Sequence, residues 1–110
     1  MSIKKFFYKQ NHFLEYSDYN TESSKVLVML YGTFGTIKQD ELAKFYEEKN
    51  VRLIVISRVG YGNSTYKELE NYLEYANIII KLLDSLKIDS FSLLGTSAGA
   101  LHCYCLDTLI

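Results

Sequence analysis

The pentapeptide Gly95-Thr96-Ser97-Ala98-Gly99 has the form G-x-S-x-G, follows the apolar stretch Phe91 to Leu94 and precedes a helical pattern. That context suits a nucleophilic serine on a sharp strand-to-helix turn. The turn forces Ser97 into a strained backbone conformation, and side chains two residues to either side would collide, so Gly95 and Gly99 are expected there. Ala98 is small for a related reason. Its backbone N–H, at the positive end of the next helix, can point at an oxygen that becomes negative during acyl transfer. The plainer alternative is a tight βα turn with Ser97 as a helix N-cap. A second loop bears on the choice: Tyr31-Gly32-Thr33-Phe34-Gly35 follows another apolar run, and an oxyanion hole needs a backbone N–H from such a loop. The alternative for that loop is a glycine-rich connection without a catalytic role.

The elements that must position these loops follow from periodicity. Ile3 to Lys9 and Phe13 to Tyr19 partly alternate apolar and polar residues, predicting a half-exposed antiparallel pair joined near Gln10-Asn11. Val26 to Leu30 and Val51 to Ile56 are continuous apolar runs, expected of strands covered on both faces. Ile37 to Lys49 and Tyr66 to Lys87 carry apolar residues at helical spacing, and in the second the early glutamates and late lysines match the helix macrodipole. Phe91 to Leu94 reads as a short strand, and Ala100 to Ile110 as the opening turns of a helix. Strands alternating with helices predict an α/β fold, a mostly parallel sheet with an N-terminal antiparallel pair and flanking helices. Both glycine-bearing loops would then open at the carboxyl ends of strands, where open α/β folds place ligands.

Three motifs in this order resemble the α/β-hydrolase superfamily, specifically the N-terminal half of a serine hydrolase of the esterase, lipase and aminopeptidase type. Tyr31 to Gly35 is similar to the family's H-G-x-x-G loop, Arg58-Val59-Gly60-Tyr61-Gly62-Asn63-Ser64 to its R-P-G-x-G-x-S or R-G-x-G-x-S loop, and Gly95 to Gly99 to its nucleophile elbow. Phe13 to Tyr19 resembles its second strand. Tyr31 stands where the family usually has His, and Val59 where many members have Pro. The resemblance implies Ser97 as nucleophile, with the N–H groups of Ala98 and Thr33, or alternatively Phe34, as oxyanion donors. Gly32, Gly95 and Gly99 would be the supporting glycines. It further implies a small-molecule acyl substrate and no cofactor.

In that family the acid and the histidine follow the serine, whereas this sequence ends thirteen residues after Ser97. Residues 1–110 are therefore expected to be the N-terminal part of one domain, truncated after the elbow helix, either from a longer reading frame or from an interrupted gene. His102 is five positions past Ser97 and rotated to another side of its helix, and His12 precedes the second strand, so neither suits a general base. Asp84, Asp89 and Asp107 read as solvated or capping residues. Truncation would leave Phe91 to Leu94 as an open edge able to self-associate, and Leu101, Leu106, Leu109 and Ile110 partly uncovered. The alternative to an enzyme is a non-catalytic remnant or interaction module that keeps the half-fold.

Composition removes other classes. The chain has 110 residues, 48% hydrophobic and 23% charged, with 12 basic against 13 acidic residues and a net charge of −1. That suits one globular domain of modest stability and gives no electrostatic footprint for nucleic acid or an anionic membrane. Prolines are absent. Cys103 and Cys105, one residue apart, suit neither a disulfide framework nor a zinc pair and read as free thiols. No metal-ligand spacing is evident, Gly60-Tyr61-Gly62 lacks the rest of a dinucleotide fingerprint, and no Gly-Lys-Ser/Thr marks a P-loop. No signal-peptide core or membrane span is visible, so the cytoplasm is the expected compartment.

Overall fold

The computed structural model describes residues 3–31, 36–57, 64, 72–95 and 99–107. The elements run β1 (Ile3–Lys9), β2 (His12–Tyr19), β3 (Lys25–Leu30), α1 (Asp40–Glu47), β4 (Val51–Ile56), α2 (Tyr72–Ser85), β5 (Ser92–Gly95) and α3 (Gly99–Asp107). This is the order the periodicity predicts. The five strands form one sheet in the order β1-β2-β4-β3-β5. β1 and β2 pair antiparallel, β2 joins β4 antiparallel, and β4-β3 and β3-β5 are parallel.

Alternation along the parallel strands divides the interior into two layers. Val28, Leu30, Ile54 and Ile56 face α2 and α3, packing with Tyr75, Ile79, Leu82, Leu83 and Leu106. Met29, Tyr31, Leu53 and Val55 face the other way, toward Ala43 of α1 and Ile37. Burial on both faces explains why β3 and β4 read as unbroken apolar runs. Because β4 and β5 flank β3 on opposite sides, crossovers of one hand must send α1 and α2 to opposite faces.

Three expectations need correction. β2 is not half-exposed: Leu14 to Tyr19 are all buried, including Glu15, Ser17 and Asp18. A loop carbonyl meets Ser17 and a cation meets Asp18. The Ser17 hydroxyl donates to the Ile37 carbonyl at 2.6 Å, and Arg52 grips Asp18 with two bonds, Nε to Oδ1 at 2.8 Å and Nη2 to Oδ2 at 2.6 Å. Secondly, α1 begins at Asp40 rather than Ile37, because Ile37 is committed elsewhere: its side chain is buried and its carbonyl accepts the hydroxyls of Ser17 and Tyr19. Thirdly, Leu106 is fully buried by the chain's own residues; the side chains of Leu101, Leu109 and Ile110 lie outside the described set. The expected start of α2 at Tyr66 also falls outside it. β5 pairs with β3 and borders the sheet among the described residues. No helix among them is long and apolar enough to cross a membrane.

The Asp18–Arg52 fork yields a stability prediction. The Asp18 side chain is 1% exposed, so Arg52→Ala leaves a buried carboxylate without its counter-charge, and removing one partner of such a pair is strongly destabilising. The hydrogen bonds that Arg52 donates to Asp18, opposed by burial, raise its guanidinium above the ordinary value. Arg52→Ala should cost about 3 kcal/mol in urea denaturation, and Asp18→Asn/Arg52→Gln less than Arg52→Ala alone.

Candidate active site

The site is built at the carboxyl edge of the sheet. Leu30, the last residue of β3, pairs with Ile56 of β4 on one side and with Gly95 of β5 on the other. The segments after β3, β4 and β5 therefore leave from neighbouring points of one edge, where ligands collect in open α/β sheets. Of the residues singled out from sequence, Gly95 and Gly99 are described; Gly32, Thr33, Ser97 and Ala98 lie outside the described residues, as do Phe34 and the Arg58 to Asn63 stretch. Gly95 ends β5 and Gly99 opens α3, so the chain turns from strand to helix within three residues.

Gly99 shows what that turn requires. A Cβ built on it would lie 2.0 Å from the Leu30 carbonyl oxygen, 2.6 Å from its carbon and 2.9 Å from the Tyr31 carbonyl carbon. The first turn of α3 is seated directly on the backbone of β3. Sequence reasoning ascribed this glycine to crowding within the turn, whereas the wall it meets is the neighbouring strand. Tyr31, in the place of the family's usual histidine, is buried in the layer opposite α3.

His102 and Cys103 follow on α3. His102 is buried, with its ring edge-on to Tyr75 at 4.9 Å and an interplanar angle of 79°. It is thus turned toward α2. Cys103 is a free thiol, half-buried, and burial pushes its ionisation above the ordinary thiol range. At neutral pH it is a protonated thiol and a poor nucleophile. His12 sits at the tip of the β1–β2 hairpin, two places from β3 in the sheet, with Nδ1 3.1 Å from the Gln10 carbonyl oxygen. Asp84, Asp89 and Asp107 are exposed, as expected. Among the described residues no three His, Cys, Asp or Glu side chains stand close enough to hold a metal ion. A polar groove of about 920 Å³, walled by Glu22, Lys25, Lys49 and Asn50, opens at the opposite edge, where β3 and β4 begin.

Sequence reasoning missed a hydroxyl cluster beside the carboxyl edge. Ser57, the residue after β4, is fully buried. Its N–H donates to the Glu15 carbonyl at 3.0 Å, its hydroxyl meets that of Ser64, and its own carbonyl accepts the Tyr75 hydroxyl at 2.6 Å. Ser64 in turn accepts the Glu15 N–H at 2.8 Å. The one signal available was a serine at each end of the glycine-bearing 58–63 stretch.

No family model matches the chain. A serine hydrolase-like protein of Dictyostelium discoideum is 34% identical over 83 residues, 72% of this chain and 23% of that protein. Among solved structures, an epoxide hydrolase variant of Vigna radiata superposes with a TM-score of 0.84 at 15% identity, over 98% of this chain and 34% of its own. A bromoperoxidase of Bacillus anthracis gives 0.77 at 20% identity, over 96% and 38%. The thioesterase domain from the curacin biosynthetic pathway gives 0.77 at 15%, over 99% and 42%. The chain thus spans about a quarter of the length of its curated relative and between a third and a half of these structures. Strand order, the seated helix and these likenesses lead to one assignment: the chain has the α/β-hydrolase fold and is similar in sequence to a serine hydrolase-like protein.

Proposed function

We propose that this chain supplies the nucleophile and oxyanion side of a serine hydrolase that cleaves an ester, thioester or amide of a small acyl substrate. The observation that carries the reading is Gly99 seated on Leu30 and Tyr31, beside the Leu30–Gly95 pairing. It demands the glycine of G-x-S-x-G and brings the ends of β3 and β5 together, as two cooperating loops require. Epoxide hydrolase, bromoperoxidase and thioesterase relatives share the fold, so the fold alone does not select a reaction. Acyl chemistry is favoured by serine at position 97 and by the serine hydrolase-like relative.

In this reading Ser97 Oγ attacks the carbonyl carbon and passes its proton to a histidine outside these 110 residues, itself oriented by an acid. The N–H groups of Ala98 and Thr33 stabilise the oxyanion. The leaving group departs with the proton, and water then releases the acid product and restores the serine. Removing one such donor costs on the order of 10²-fold or more in turnover. Treating the full-length protein with a fluorophosphonate and mapping the adduct by mass spectrometry tests the reading, with Ser97→Ala as control. A single adduct on Ser97, lost in the variant, is expected; a folded protein that stays unlabelled, or one labelled elsewhere, overturns it.

A further inference from the structure

Tyr75 belongs to the layer of apolar side chains between the sheet and α2, and it is 1% exposed. A phenylalanine would fill almost the same volume there without a polar atom to satisfy. Burying a hydroxyl in such surroundings is costly unless it is bonded, and this one is bonded to an acceptor of particular position, the Ser57 carbonyl. Ser57 is itself fixed through its N–H and hydroxyl by Glu15 and Ser64. The phenol is therefore tied to a point that has little freedom to move.

The ring of the same residue lies against His102, three residues after Gly99 on α3. The start of α3 is thus held by two contacts of different kinds: the β3 backbone beneath Gly99, and the Tyr75 ring beside the next turn. Gly99 sets how closely the helix approaches the sheet. Tyr75 sets its position along the carboxyl edge, because its hydroxyl registers the ring to the end of β4.

We propose that Tyr75 is a positioning residue for the turn that carries Ser97, acting through its hydroxyl on Ser57 and its ring on His102. The inference rests on the hydrolase reading above. Tyr75 is too deeply buried to meet a substrate, so its effect falls on how well the nucleophile and the α3 N–H groups are aligned, and not on how tightly a ligand is held. Displacements of about 1 Å at a reacting centre can cost about 100-fold in rate.

The test uses the full-length protein and the saturation kinetics of fluorophosphonate labelling, which separate the affinity KI from the maximal rate kinact. Tyr75→Phe is expected to lower kinact about tenfold or more while KI stays within about twofold. Ser64→Ala should lower kinact in the same sense, Ser64→Thr should restore it, and the Tyr75→Phe/Ser64→Ala double variant should be no slower than the slower single one, as for groups acting as a unit. Hydrogen exchange gives a readout independent of labelling: α3 amides should exchange faster in Tyr75→Phe, with those of the β1–β2 hairpin unchanged. Wild-type kinact in Tyr75→Phe overturns the inference alone, whether or not exchange in α3 has quickened. If Tyr75→Phe does not fold, the Ser64 pair decides in the same way. A wild-type protein that is not labelled at Ser97 overturns the hydrolase reading and this inference with it.

Discussion

Replacing Gly99 by Ala should unseat α3 and abolish covalent labelling at Ser97. The added Cβ would stand 2.0 Å from the Leu30 carbonyl oxygen, and ordinary contact begins at 3.4 Å. The obstacle is main chain rather than a rotatable side chain. Leu30 is paired with β4 and β5 at once, so β3 cannot yield without breaking both ladders. The helix must therefore retreat, and with it Leu106 and His102, which it contributes to the core. Losses above about 4 kcal/mol are exceptional for one substitution and arise from this kind of overpacking, against a total of about 5–15 kcal/mol for a domain. Denaturant unfolding should show a loss of about 4 kcal/mol or more in Gly99→Ala. Asp107→Ala, at an exposed position of the same helix, should stay within about 0.5 kcal/mol of wild type. A Gly99→Ala protein with wild-type stability and labelling would contradict the seating of α3 on β3.

How far this geometry can be read from sequence depends on the range of the interaction that fixes it. β1 and β4 were predicted at their observed limits, because both are marked by local composition and bounded by polar or glycine-bearing turns. Order of elements followed from the alternation of apolar runs with helical periodicity. Ile37 was misread because an apolar residue at helical spacing looks the same whether it heads a helix or anchors a loop; only its carbonyl, bonded to hydroxyls 18 and 20 residues earlier, tells them apart. Burial of Glu15 and Asp18 was equally illegible. Their partners lie far along the chain, Ser64 for the Glu15 amide and Arg52 for the Asp18 carboxylate, and neither pairing has a period. The Tyr75–Ser57 bond joins residues 18 apart, across a helix and a strand end. Glycine at position 99 was expected, yet its cause lies in β3, nearly seventy residues away in sequence.

Ser97→Ala should remove turnover of an activated aryl ester by the full-length protein on the order of 10⁶-fold, with the unfolding midpoint unchanged. The two halves of this result test different things. Loss of rate follows if the serine oxygen forms the acyl bond, since without it only oxyanion and binding contributions remain, about 10³- to 10⁴-fold over water. Unchanged stability follows because α3 is seated through Gly99 and held beside Tyr75, and deleting one oxygen from position 97 disturbs neither contact. Substitutes within the described chain are weak. The Cys103 thiol is pushed toward its protonated form by burial, and His102 is buried with its ring against Tyr75. Turnover in Ser97→Ala within tenfold of wild type would therefore place the nucleophile elsewhere and leave G-x-S-x-G as a helix-seating device. Loss of turnover together with loss of fold would be uninformative on the nucleophile, and Ser97→Cys resolves it. That variant keeps a nucleophilic atom at the same point, and it should fold as wild type and become selectively alkylated at residue 97 if the turn presents that atom to substrate.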